Sequence, residues 1–440
     1  MRAGRAISIA VVILLLLVAI AFALTWRPSI APIETPPRSN FDAKTIARGA
    51  ELAMIGDCNA CHTARGGRTF AGGRGLETPF GTIYATNITP DPYTGIGNWS
   101  QAAFVRAMRE GIDREGDHLY PAFPYNHFTH VSDDDLAALY AYFMTREPVR
   151  ARTPKNQVSF PFNLRALIAG WNLLYLDRTA FASNTQQSAQ WNRGAYLVQG
   201  LAHCGACHTP RNRLGGEKND KLYAGGEIEG WHAPALDASA PAPAPWTAER
   251  IYTYLRTGSE AVHGSASGPM APVAHNLSKV NESDVRAIAA YMASYTMQVP
   301  ADRQKRGQEM VARAESAAPL AAPGATDAGA QIYRGACGVC HDTPRDATMS
   351  GAALSLTLST AVAAPTPRNL VNFILEGIAP EDGTRGRWMP GFAGALTDDQ
   401  LVALVNYVRQ SAAPGAPAWK DVGDAVKKAR RGAVESYARR

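Results

Sequence analysis

The sequence has no cysteine to spare. All six lie in three copies of one pattern: Cys58-Asn-Ala-Cys61-His62, Cys204-Gly-Ala-Cys207-His208 and Cys337-Gly-Val-Cys340-His341. No sulfur remains for a disulfide, a separate zinc site or a nucleophile. Also missing are a dinucleotide fingerprint, a molybdenum- or flavin-site motif and any Ser/His/Asp arrangement, so the chain is not expected to be an enzyme by itself. Its formal net charge is +6, yet no nucleic-acid reader motif accompanies the basic residues, which excludes nucleic acid as a partner. Only residues 6–26 form an uncharged apolar run long enough to cross a bilayer as a helix.

The CxxCH spacing has a direct chemical reading. Two thiols two residues apart add across the two vinyl groups of one haem, and the adjacent His lies under the iron as its proximal ligand. A redox dithiol does not need the trailing His, and a zinc ribbon needs its cysteine pairs closer together. The chain is therefore expected to carry three covalently bound c-type haems, each with its iron. Cys58, Cys61, Cys204, Cys207, Cys337 and Cys340 are the attachment points, and His62, His208 and His341 the proximal ligands.

Motifs at 58, 204 and 337 agree with the roughly three domains that the length suggests. Each follows a segment of helical periodicity with a small pair near its middle: Gly49-Ala50, Gly194-Ala195 and Gly329-Ala330. Near each unit's end lies an amphipathic helix with an aromatic face, over residues 134–143, 284–292 and 399–408. Ser132, Ser283 and Thr397 read as their caps. A small residue at a fixed helix position lets the second helix cross closely. A first helix with Gly, a haem motif and a last helix with Tyr make a cytochrome c core.

The expected fold class is mainly α: three tandem cytochrome c domains behind an N-terminal transmembrane helix. The boundaries are 1–26 for the anchor, 40–150 for domain one, 151–184 for a linker with an apolar helix and 185–299 for domain two. A mobile linker at 300–322, domain three at 323–411 and a basic tail at 412–440 complete the chain.

Arg2 and Arg5 precede the apolar run, so the positive-inside rule places the rest of the chain outside the cytoplasm. A cleaved signal peptide ending at Ala21-Phe22-Ala23 is the competing reading, and the length of the run favours a retained anchor. Both export the chain, so the expected location is the bacterial inner membrane with soluble domains facing the periplasm. Residues 164–176 are apolar but too few to span a membrane. They either pack between domains one and two or form a lipid-interface or partner-docking helix. The tail, with seven Lys/Arg against three Asp/Glu from Ser411 onward, is a solvated helix or a surface for anionic lipid or an acidic partner.

Electron-transfer haems usually have a second protein ligand, often Met. Met389, before Pro390, and Met270, between Pro269 and Ala271, are the candidates in domains three and two. In domain one Phe123-Pro124 stands at that place, and Phe cannot bind iron. His127 is the leading distal candidate there; His130, Met108, Met144 or no protein ligand are the alternatives. Bis-His ligation would make that haem the most reducing and a natural entry point. Residues 86–91 and 95–99, Arg211 and Arg213 are candidates to meet haem propionates.

The order Cys58-x-x-Cys-His, Gly72-Gly73, Thr78-Pro-Phe-Gly81, Asn87-Ile-Thr-Pro-Asp-Pro, Thr94-Gly-Ile-Gly-Asn-Trp-Ser100 and Leu119-Tyr-Pro-Ala-x-Pro-Tyr125 resembles the triple-haem cytochrome c subunit of membrane-associated bacterial dehydrogenases. So does Trp191-Asn-Arg-Gly-Ala-Tyr-Leu-Val with Cys204-Gly-Ala-Cys-His-Thr-Pro-Arg211. The resemblance covers nearly all of residues 42–410. It implies a subunit that accepts electrons from a catalytic partner and passes them to membrane quinone or a cytochrome acceptor. Subunits serving quinoprotein alcohol dehydrogenases and flavoprotein gluconate-type dehydrogenases typically carry Met where this chain has Phe123. The form Tyr120-Pro-Ala-Phe-Pro-Tyr-x-His127-Phe-Thr129 looks more like cytochromes that accompany molybdenum hydroxylases of the nicotinate and isoquinoline oxidoreductase types. The resemblance thus implies a molybdenum hydroxylase as first-choice partner, with a quinoprotein or flavoprotein as the alternative. Two rival functions stand beside it: a peroxidase-like enzyme using an open haem in domain one, and a cytochrome subunit of a terminal oxidase.

Overall fold

The computed structural model describes residues 25–314, 320, 326–342, 354–379 and 387–438, together with positions 9, 11–13 and 23. The expected anchor falls almost wholly outside them; among the described residues no helix is long and apolar enough to cross a membrane. The chain is mainly helical and forms two compact units. Unit 1 holds Met1–Ser183 with Gln199–His203 and Arg213–Gly216, and unit 2 holds Asn184–Val198, Cys204–Asn212 and Glu217–Arg440.

In unit 1, α1 (Ala43–Ile55) leads into α2 (Cys58–His62). The hairpin β1 (Gly75–Thr78) and β2 (Gly81–Tyr84), α3 (Gln101–Glu110), α4 (Tyr125–Phe128) and α5 (Asp133–Met144) follow. Then β3 (Gln157–Val158) returns antiparallel to β2 with Val158 opposite Gly81, and α6 (Ala166–Tyr175) comes last. The stretch expected as a linker is thus sewn into the first sheet, and Tyr84 N donates to Asn156 Oδ1 at 2.8 Å.

The crossing of α1 and α5 explains Gly49. A Cβ there would stand 2.0 Å from Ala138 O and 2.7 Å from Tyr142 Cβ. Next to it, Arg48 grips Asp135 through two nitrogens, at 3.1 and 3.3 Å. Ser132 caps α5 by accepting from Asp135 N.

Unit 2 starts with α7 (Ala189–Gln199), α8 (Gly205–His208) and the hairpin β4 (Gly226–Ile228) and β5 (Trp231–Ala233). It continues through α9 (Ala248–Thr257), the short pair β6 (Ser259–Glu260) and β7 (Gly264–Ser265), α10 (Met270–Leu277) and α11 (Glu282–Thr296). After α12 (Ala301–Ala314), α13 (Ala328–Ile332) runs through a π turn into α14 (Gly338–His341). Finally come α15 (Thr360–Ala363), α16 (Arg368–Glu376), α17 (Asp398–Ala412) and α18 (Val422–Ala438).

The Gly crossing recurs twice here. A Cβ on Gly194 would meet Ala287 O at 2.0 Å and Tyr291 Cβ at 2.8 Å; one on Gly329 would meet Ala403 O at 2.4 Å and Tyr407 Cβ at 2.6 Å. Arg193 pairs with Asp284 at 2.8 Å as Arg48 does with Asp135. Ala328 stands at the corresponding place before Gly329, and α17 relies instead on a reciprocal cap between Thr397 and Gln400.

Three sequence expectations change. Ser283 is not the cap of α11. The helix begins at Glu282, which puts Asn281 at its head, and the Asn281 amide oxygen accepts from Ser283 N at 3.0 Å. Residues 300–322, read as a mobile linker, include the ordered helix α12. Gly307 lets it lie on Pro243, Ala244 and Pro245, and Met310, Val311 and Ala314 join a small core with Ala244, Val262 and Leu358. The basic tail at 412–440 does not stand apart from the helices before it. In α18, Val422, Ala425 and Val426 are buried with Leu404, Val405 and Leu375, and Trp419 Nε1 donates to Ala364 O at 2.9 Å. Its stripe at 422, 425, 426 and 429 faces inward, at helical spacing.

Candidate haem sites

Each CxxCH motif folds as a short helical turn, α2, α8 or α14, delivered by the helix that carries the crossing glycine. That turn projects its two sulfurs and its His from one short stretch. In all three, the His ring is held the same way. Nδ1 of His62 lies 2.7 Å from Thr86 O, Nδ1 of His208 is 2.7 Å from Pro234 O, and Nδ1 of His341 is 3.0 Å from Leu354 O. An N–H at Nδ1 leaves the lone pair on Nε2, the tautomer and orientation that an iron ligand needs.

Burial lowers the pKa of all three imidazoles, only partly offset by those carbonyl bonds, and so keeps them neutral. Burial also pushes the Cys58 and Cys204 thiols up to about 12 and Cys337 to about 11. Surroundings that disfavour charge on sulfur and imidazole suit thioether links and a hydrophobic macrocycle. The residues present therefore fit a c-type haem.

The first two sites share further supports. Gly72 N donates to His62 O and Gly225 N to His208 O, both at 2.8 Å. Phe70 N donates to Thr63 Oγ1 at 3.1 Å, and Tyr223 N to Thr209 Oγ1 at 3.2 Å. In the third, Asp342 follows the His and accepts from Tyr333 Oη at 2.8 Å and Leu320 N at 3.1 Å.

The distal candidates are placed as follows. Met389 pairs its backbone with Ile378, and its side chain packs on the core of α16 and α17. Met270 opens α10 on a loop pressed against Trp231 of β5, the strand that leads to Pro234. Phe123 joins an aromatic cluster with Tyr125 and Phe128. Nδ1 of His127, on α4, lies 3.0 Å from Gln199 O, and Nδ1 of His130 lies 2.7 Å from Thr179 O. Met108 and Met144 are buried within α3 and α5.

In the polar stretch after β2 the side chains of Asn87, Thr89 and Asp91 are buried and bond within the chain itself. Asn87 Nδ2 donates to Val149 O at 2.7 Å, Thr89 Oγ1 donates to Asn87 Oδ1 at 2.7 Å, and Asp91 Oδ1 accepts from Thr94 N at 2.6 Å. Its contribution to the site is the Thr86 carbonyl. Arg211 pairs with Glu217 at 3.6 Å and donates to Ala206 O at 2.8 Å.

Sequence reasoning misses the three carbonyls, because a carbonyl has no residue signature. It also misses a seam inside unit 2. His232 N donates to Asn369 Oδ1 at 2.9 Å, and Asn369 Nδ2 returns a bond to His232 O at 2.8 Å. Arg368 pairs with Glu227, and Trp231 meets Phe373 edge-on at 5.5 Å. Leu354, whose carbonyl holds His341, packs beside Val262 and Leu358. The Pro234 carbonyl that orients His208 directly follows β5, one side of this seam.

The cytochrome c family matches residues 46–147 and 192–296, and the family of cytochrome c oxidase, cbb3-type, subunit III matches residues 324–408. A nicotinate dehydrogenase subunit of Pseudomonas putida is 45% identical over 413 residues, covering 93% of this chain and 34% of that protein. This chain therefore spans about a third of that relative's length. The fructose dehydrogenase cytochrome subunit of Gluconobacter japonicus is 36% identical over 395 residues, 86% of this chain and 81% of that one. The gluconate 2-dehydrogenase cytochrome c subunit of Pantoea cypripedii is 36% identical over 395 residues, 85% and 87% of the two chains.

Proposed function

The chain belongs to the cytochrome c subunits of dehydrogenases, and on that footing we propose that it is a membrane-anchored, triple-haem relay in the periplasm. It takes electrons from a dehydrogenase catalytic subunit and delivers them to quinone or a cytochrome of the respiratory chain. The observation that carries this reading is the recurrence, at all three CxxCH motifs, of a half-buried His with Nδ1 tied to a carbonyl.

Bound c-type haem supplies one-electron iron chemistry. The chain's own residues orient the ligands and exclude water. His62, His208 and His341 would hold the iron as proximal ligands, with Met270 and Met389 as distal ones and His127 as the distal ligand at the first site. A molybdenum hydroxylase as catalytic partner is favoured by the 45% identity to the nicotinate dehydrogenase subunit and by Phe123 standing where quinoprotein- and flavoprotein-linked subunits typically carry Met. An oxidase role has one observation on its side, the match of residues 324–408. The dehydrogenase relatives cover far more of the chain.

Purification of the native complex from membranes tests the proposal. The expected result is three covalent haems per chain by intact mass, with a dehydrogenase subunit as companion. A chain with fewer haems, or one that copurifies with a copper-haem oxidase, would overturn it.

A further inference from the structure

Helix α6 is apolar on both sides, yet only one side is covered. Ile168, Ala169 and Asn172 face inward. Tyr125 Oη donates to Asn172 Oδ1 at 2.6 Å, and Trp171 Nε1 donates to Leu214 O at 3.1 Å. These bonds fix the rotation of the helix and hold Leu167, Leu173 and Leu174 outward. With Phe160, Phe162 and Leu164 just before the helix, they form a run of six large apolar side chains between 41% and 77% exposed. A stretch of this kind on a soluble surface marks a binding face. At ten residues the helix is about 15 Å long, half the roughly 30 Å needed to span a bilayer.

The neighbourhood indicates what covers it. The apolar run 6–26 ends where Thr25 O accepts from His118 Nε2 at 2.9 Å. The carbonyl of the same His118 accepts from Arg165 NH1 at 3.1 Å, at the start of α6. Arg106 NH1 donates to Pro28 O at 2.7 Å, and Ile30 and Arg114 bond through their backbones. One residue therefore ties the end of the apolar run to the beginning of the leucine face, and the segment between 25 and 30 is fastened down. Residues 150–180 hold five Arg/Lys and one acid, Asp177, a balance that favours anionic headgroups.

We infer that the face made by Phe160, Phe162, Leu164, Leu167, Leu173 and Leu174 lies in the interfacial layer of the lipid bilayer, beside the point where residues 6–26 enter it. The inference rests on the anchor proposed above. It gives unit 1 a second membrane contact and restrains how the first haem site can turn relative to the membrane plane. An interfacial helix binds through its buried apolar area together with attraction to anionic lipid.

The test reconstitutes the full haem-loaded chain in phosphatidylglycerol-containing vesicles with photoactivatable acyl chains and maps the cross-links by mass spectrometry. Labelling of both 6–26 and 160–175 is expected. The L167S/L173S/L174S chain should lose at least fivefold of the label on 160–175 while its haem spectrum and the label on 6–26 stay unchanged. Label confined to 6–26 would overturn the inference and leave the anchor standing. So would label on 160–175 that disappears when the catalytic subunit is added, which would assign the face to that partner. Label on 160–175 in a chain whose N-terminus proves cleaved would keep the face and remove the anchor.

Discussion

The tightest contact in each motif-bearing segment is made by an atom that is not there. At Gly194 even one methyl group would sit 2.0 Å from a backbone oxygen that cannot move without shifting α11. Gly194→Ala should cost about 2 kcal/mol or more, as overpacking does, seen as a lower thermal midpoint and reduced haem content. His263 acts through its charge state. It stacks on Trp246 with centroids 3.6 Å apart, donates its backbone N–H to Glu260 Oε2, and has Arg250 nearby; burial first, then that Arg, lowers its pKa to about 3. Because the folded value is depressed below the ordinary 6.5, its contribution is complete above pH 6.5 and is lost as pH falls toward 3. Between pH 7 and pH 5 the native chain should lose about 2 kcal/mol that His263→Gln does not lose, measured by denaturant unfolding at the two pH values. Met389→His should move one redox component, and only one, to lower potential in a potentiometric titration. If all components stay in place, Met389 is not a ligand.

Among the elements, the amphipathic helices with Ser132 and Thr397 at their heads are legible because caps and apolar stripes are local. Ser283 misleads because Asn281, two residues earlier, offers the same chemistry, and only the path of the chain chooses between them. The last helix is legible as a helix but not as a core element. Its charge balance conceals the four-residue stripe that docks it. Deleting residues 413–440 would uncover Leu404, Val405 and Leu375. The loss of Trp419, Val422 and Val426 from the core amounts to roughly 2 kcal/mol each. On the proposed three-haem reading, the haem at Cys337–His341 is then expected to be lost first, with proteolysis starting in α16 and α17; a truncated chain that keeps all its haem after mild heating contradicts this. The seam between β5 and α16 carries a related prediction. Asn369→Ala leaves the backbone N–H and C=O of His232 without their partners, at a cost of about 2 kcal/mol. It should slow electron exchange between the second and third sites without changing their potentials, read by flash-induced kinetics.

For the molecule as a whole, the family and the electron-transfer role follow from relatives that align along most of the chain. On the proposed reading, the ranking of the haems is a property of the assembled relay. With His127 at the first distal position and Met at the others, a redox titration should resolve one component clearly below the remaining two. Three indistinguishable high potentials would remove His127 from the ligand set.

The proposed attachment sites are legible as motifs in the amino-acid order, because thioether attachment and the adjacent ligand need only a two-residue spacing and a neighbouring His. The crossing glycines can be read likewise, since one missing side chain in a helical period reports a close approach. The carbonyls of Thr86, Pro234 and Leu354, the burial of α12 and α18 and the outward leucines of α6 emerge only on folding. Every residue has a carbonyl and every apolar stripe wants cover, so which partner each one finds depends on long-range packing that no local pattern encodes.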